Sequence, residues 1–195
     1  MALMIAGLAL FFGPHLFSAF RSRAQETDLR IRLGYGPYMG LYSLVAIAGL
    51  VLVIMGYGAM RPAPVLYTPP VWAAHLNYIL ILVALVMLAA AYAPKGHIAR
   101  ALKHPMLVAI KVWALGHLLA NGELNSVILF GAFLAFAVTD RIAVKRRGDL
   151  GAGRVESPSL AGDAIAVIAG TAAYAAILFW LHPVLFGVSV WPPTA

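Results

Sequence analysis

The chain has 195 residues, 63% of them hydrophobic and 11% charged, with a mean hydropathy of +0.89 and a formal net charge of +7. Soluble domains carry roughly 25% charged residues, so the composition excludes an ordinary soluble enzyme and points to an all-α, polytopic membrane bundle. Cysteine is absent, which removes disulfides, thiolate-bound zinc, iron–sulfur clusters and covalently attached c-type haem.

Hydropathy predicts six apolar helices, at residues 3–20, 38–58, 71–93, 106–120, 124–144 and 160–181. Most approach the ~20 residues that cross a bilayer. The first lacks a basic leader and carries its charges after the apolar run, so it is read as a retained helix and not as a secretory signal. It contains His15, in FFGPHLF, directly after Pro14. Proline frees a carbonyl one turn earlier and favours a kink beside the histidine. An axial haem ligand, a proton carrier or a hydrogen-bonded structural imidazole all suit such a residue.

Residues 21–34, RSRAQETDLRIRLG, suit either a short amphipathic surface helix near anionic lipid or a solvated loop. The four prolines of residues 61–70, RPAPVLYTPP, predict an extended outer loop, because proline removes helix donors. His75 follows near the outer end of the third helix, with Asn77 and Tyr78, and His97 falls in a basic loop.

The richest stretch is residues 104–123, HPMLVAIKVWALGHLLANGE, where polar groups interrupt a lipid-like run and so need a reason. His104 precedes Pro105, which suits a first helical turn, and is expected to be an interfacial cap. His117 lies roughly 20 Å further along the helix and points about 140° away, so the two do not share a metal. Trp113, His117 and Asn121 are spaced i, i+4, i+8 and share one face. His117 is suited either to ligating iron, with Trp113 and Asn121 as supporting neighbours, or to packing against an adjacent helix. After the fifth helix, residues 148–159, GDLGAGRVESPS, read as a linker. Asp163 is expected to cap a helix or pair with a loop cation. His182 stands before Pro183 at an outer end.

The basic residues are grouped: Arg21, Arg23, Arg30 and Arg32 in the first connection; Lys95, Arg100 and Lys103 in the third; Arg141, Lys145, Arg146, Arg147 and Arg154 at and after the end of the fifth helix. The positive-inside rule makes these connections cytoplasmic and puts both termini outside the cytoplasm. The basic charge therefore reports topology and argues against nucleic acid as a partner. No Walker loop, dinucleotide fingerprint, HExxH or nucleophile elbow is present.

In order along nearly the whole chain, FFGPHLFSAF, HPMLVAIKVWALGHLLANGE and LFGAFLAFAVTDRIAVKRRG closely resemble the NnrU family of bacterial membrane proteins. The most specific part is HP followed by GHLLANG. The resemblance implies a single integral domain over residues 1–195 in the bacterial inner membrane. It further implies a role in nitrate and nitric oxide metabolism, where members are associated with nitrite and nitric oxide reductase activities. The family is related to plant zeta-carotene isomerase, which carries non-covalent haem b. Carried over residue by residue, its proposed axial ligands fall on His15 and His117, and the HP histidine on His104. Ala114 stands where the isomerase has a cysteine, so thiolate exchange of ligand is unavailable here. Straight helices would leave His15 and His117 on the order of 10 Å apart in depth. Depth alone pairs His15 with His104, or His75 with His117.

Three readings follow. One is a haem b protein of nitrogen-oxide respiration that responds to redox state or nitric oxide. Another is a haem-dependent, isomerase-like enzyme acting on an apolar small molecule in the lipid phase. The third is a non-catalytic membrane partner with structural histidines, in which Gly40, Ala46, Gly49, Gly131 and Ala135 provide close helix packing.

Overall fold

In hydrocarbon, backbone N–H and C=O groups must bond within their own segment, so long apolar runs become helices. The computed structural model describes residues 1–188 and 190, and its elements are α1 (Ala2–Phe20), the short α2 (Leu29–Leu33), α3 (Tyr35–Gly58), α4 (Val71–Tyr92), the short α5 (His97–Leu102), α6 (Pro105–Ala120), α7 (Leu124–Arg146), α8 (Leu160–Ala176) and the short α9 (His182–Phe186). A 3₁₀ turn covers Gly151–Arg154, and a π turn, Ile177–Leu181, joins α8 to α9. Five helices are long and apolar enough to cross a membrane: Ala2–Phe20, Tyr35–Gly58, Val71–Tyr92, Leu124–Arg154 and Leu160–Phe186. With 16 residues, α6 is shorter. It rises about 24 Å, less than the ~30 Å hydrocarbon layer.

Two boundaries differ from the hydropathy reading. α3 begins at Tyr35, three residues early, because Gly34 adopts φ +82° and turns the chain into the helix, while Pro37 sits in the first turn where its missing N–H costs nothing. The last span continues past residue 181 into α9, because the π turn before His182 and Pro183 lets the helix carry on through the proline.

The helices group into two compact units, each assembled from separated stretches: Met1–Pro70 with His117–Asp149, and Val71–Gly116 with the described residues from Leu150 onward. In the first unit α1 packs on α3 and α7 around buried Met4, Leu8, Phe12 and Val53, with Phe11, Phe133 and Phe136 against them. The α1–α3 approach needs glycine. A Cβ on Gly7 would lie 2.6 Å from the Val53 nitrogen, and one on Gly49 would lie 2.8 Å from the Phe11 Cα. Of the five small residues expected to pack helices, Ala46 and Gly49 are buried. Gly40 and Gly131 face open space, and Ala135 is exposed, so close packing runs through Gly7, Gly49 and Gly56 instead.

The proline-rich loop is extended, as its composition requires, and closes the end of α6. Leu66 N–H donates to the Gly122 carbonyl at 2.8 Å and Leu124 N–H to the Pro64 carbonyl at 2.8 Å. The Tyr67 hydroxyl donates to the Leu118 and Asn121 carbonyls, two acceptors a helix end leaves unbonded.

In the second unit α4 packs on α8, where Gly170 meets the Val86 backbone and Ala90, Ala99 and Ala166 form a small-residue core. Asp163 does what its position suggests: its carboxylate accepts the N–H groups of His97 and Ile98 and the His97 Nδ1–H, each at 2.9 Å, capping α5 from α8. In both units the outward helix surfaces are apolar. Leu44, Ile47 and Ile54 on α3 and Ile168 on α8 are more than half exposed, which suits contact with lipid chains.

Candidate functional site

His15 is the best-defined histidine of the first unit. Its Nδ1 lies 2.6 Å from the Phe11 carbonyl oxygen. A carbonyl only accepts, so Nδ1 donates its N–H in this bond. The ring is walled by Phe11 at 4.6 Å, Tyr42 at 5.0 Å, Phe136 at 5.6 Å and Phe12 at 6.5 Å between centroids. α1 runs on through Pro14, and the His15 ring meets Tyr42 of α3 and Phe136 of α7 at once. Backbone ligation of Nδ1–H with Nε2 left bare is the arrangement in which histidine serves as a metal ligand. His15 thus has its Nδ1 held by backbone and its ring held by aromatic side chains.

His117 belongs to the same unit and stacks on Phe130, 4.4 Å between centroids and 21° between planes. Phe130 and Phe136 are six residues apart on α7, roughly 9 Å along its axis and on different faces. The rings that contact His15 do not include His117. His15 and His117 thus contact different rings of α7. Asn121 takes a backbone role: its Nδ2 donates 2.9 Å to the His117 carbonyl, closing the end of α6 and not orienting the imidazole.

His104 and Trp113 lie in the second unit. The His104 carbonyl accepts the Val108 N–H at 3.2 Å at the start of α6, as expected of a cap residue, and its ring packs on Gly151. The Ala152 N–H donates to the neighbouring Lys103 carbonyl at 2.8 Å, fixing the 3₁₀ turn there. His75 lies 6.5 Å from Tyr78 between ring centroids, and His182 donates Nδ1–H to the Val188 carbonyl at 2.8 Å. Among the described residues no three His, Cys, Asp or Glu side chains converge as a metal-binding group.

Beyond α1 lies a polar cluster that sequence reasoning did not assemble. Arg21 pairs with Asp28, and its guanidinium lies over the Tyr38 ring, 5.8 Å from the centroid. Asp28 also caps α2 by accepting the Arg30 N–H at 2.9 Å. Arg147 donates to the Ala19 carbonyl and Arg23 to the Ser18 carbonyl, at 3.3 Å for the latter, so both cations sit at the negative end of α1. Burial works to raise the Asp28 carboxyl. The Arg21 hydrogen bond, the Arg30 N–H and the charges of both arginines outweigh it and hold the group below its ordinary 3.8.

Long apolar helices with lipid-facing surfaces, polar clusters at their ends and a histidine held in an aromatic wall define a helical, multi-pass membrane protein. The family model described as NnrU protein matches residues 3–190, and the chain belongs to that family. No curated protein and no solved structure matches it.

Proposed function

We propose that this NnrU-family protein resides in the bacterial inner membrane with α6 as a sixth crossing and both termini outside the cytoplasm, and that it binds haem b in the service of nitrogen-oxide respiration. The topology is supported by the grouping of arginine and lysine in alternate connections. The brevity of α6 is compatible with crossing where bilayer thinning or flanking residues absorb the mismatch.

The observation that carries the haem reading is the His15 Nδ1–H bond to the Phe11 carbonyl, which leaves Nε2 as the sole free nitrogen of a ring set among aromatic side chains. His15 is the first ligand. His117 is the second candidate and His104 the third. Held by His15, a haem would supply iron chemistry toward a diatomic molecule such as nitric oxide. The chain's own residues orient the ring, exclude water with Phe12, Tyr42 and Phe136, and set the tautomer through Phe11.

The test has two parts. Protein purified in detergent from haem-replete cells is expected to show a Soret band. Deleting the gene in a denitrifying host is expected to lower nitrite and nitric oxide reductase activities. Haem-free protein would end the haem reading, and unchanged reductase activities would end the respiratory one.

A further inference from the structure

Arg21 and Tyr38 each bury a hydrogen-bonding group that finds no partner. The Arg21 side chain is 5% exposed and gives Nη1 to Asp28, yet its Nε is unbonded. Tyr38 is 7% exposed, and its hydroxyl is unbonded as well. The Arg21 guanidinium lies over the Tyr38 ring, 5.8 Å from its centroid, so the two side chains are neighbours. Buried donors without acceptors carry their full desolvation cost, so two together call for a shared acceptor. The local charge says what kind: Arg21, Arg23, Arg30 and Arg147 gather here around Asp28 and Asp149, with Asp140 further along facing Tyr42. An acceptor bearing negative charge is favoured.

The surroundings give the rest of the ligand its character. His15 lies six residues back along α1, roughly 9 Å from Arg21. One turn on from Tyr38, the Tyr42 ring stands 6.4 Å from Tyr38 and 5.0 Å from His15. A continuous aromatic wall thus leads from the unpaired donors to the histidine.

We propose that Arg21 Nε and the Tyr38 hydroxyl form an oxyanion subsite, which takes the carboxylate or phosphate of an amphipathic ligand whose apolar body lies along Tyr42 toward His15. Two sources share this chemistry. One is a haem propionate, which rests on the haem reading above; the other is the phosphate of an anionic phospholipid, which does not.

Tyr38→Phe is the clean probe, since it removes one hydroxyl and keeps the ring beneath Arg21. If the hydroxyl serves no ligand, its loss is neutral or stabilising. Wild-type and Tyr38→Phe protein, full length in detergent, are titrated with haemin and haemin dimethyl ester by Soret absorbance. In a separate arm they are titrated with phosphatidylglycerol and phosphatidylcholine by native mass spectrometry. Arg21→Lys is run beside them, and melting curves confirm that each variant is folded.

The expected result is that Tyr38→Phe weakens haemin or phosphatidylglycerol binding by about tenfold, the loss of one hydrogen bond to a charged group, while the ester and phosphatidylcholine are unaffected. A phosphatidylglycerol effect without any haem binding supports the subsite with a lipid occupant and removes the haem reading. Equal affinities of wild type and Tyr38→Phe for both haemin and phosphatidylglycerol overturn the subsite, whatever His15 does.

Discussion

His15 turns its Nδ1–H back onto the Phe11 carbonyl at 2.6 Å, a bond made within one turn of α1 that decides which nitrogen faces the helices around it. Tyr42 and Phe136 then fix the ring from α3 and α7. The imidazole is therefore held on three sides, by its own helix and by two neighbours.

The α1–α3 seam makes a sharp prediction about glycine. Gly49→Ala would place a Cβ 2.8 Å from the Phe11 Cα, and backbone cannot step aside as a flexible side chain can. A destabilisation of about 1–3 kcal/mol is expected, the usual size for overpacking. Gly131→Ala adds its methyl to open space and should be neutral. Denaturant melts of both variants in detergent check the contrast, and equal stability of the two would contradict the packing account.

The proline-rich loop of residues 61–70 should hold the α6–α7 turn through one hydroxyl. Tyr67→Phe deprives the Leu118 and Asn121 carbonyls of their donor. The expected cost is about 1 kcal/mol or less, because Tyr67 is 41% exposed and water can replace it. Hydrogen exchange should rise at the end of α6 and not in α1. Uniform protection in both helices would show that the loop is not a clasp.

Asp28 predicts a dependence on pH with a definite sign. Its folded carboxyl titrates below the ordinary 3.8, so its contribution is complete above that value and is lost as pH falls through the lower folded value. Thermal stability of wild type should exceed that of Asp28→Asn at neutral pH, and the gap should close below about pH 4. A gap that stays constant into acid would mean the Arg21 pair does not stabilise the fold.

Much of the architecture was readable from local pattern. The apolar runs, the prolines of residues 61–70, the cap at His104 and the capping role of Asp163 all depend on neighbours in sequence or on one helix end. The site was less readable, because its walls are tertiary. Periodicity placed Trp113, His117 and Asn121 on one face, yet helical spacing does not reveal that the Asn121 amide bonds a backbone carbonyl or that His117 stacks on Phe130 of the next helix. Tyr38 stood in the sequence only as the first residue of a span. Its burial beneath Arg21 arises because α3 starts earlier and brings that turn against the end of α1.

The most direct measurement is the Soret band of protein purified in parallel as wild type, His15→Ala and His117→Ala from haem-replete cells. The account predicts a band in wild type that disappears in His15→Ala and persists in His117→Ala, since the Phe11 carbonyl holds the His15 Nδ1 whereas His117 stacks on Phe130. A band that survives in His15→Ala and vanishes in His117→Ala would contradict the assignment of His15, and wild type without a band would contradict haem binding itself.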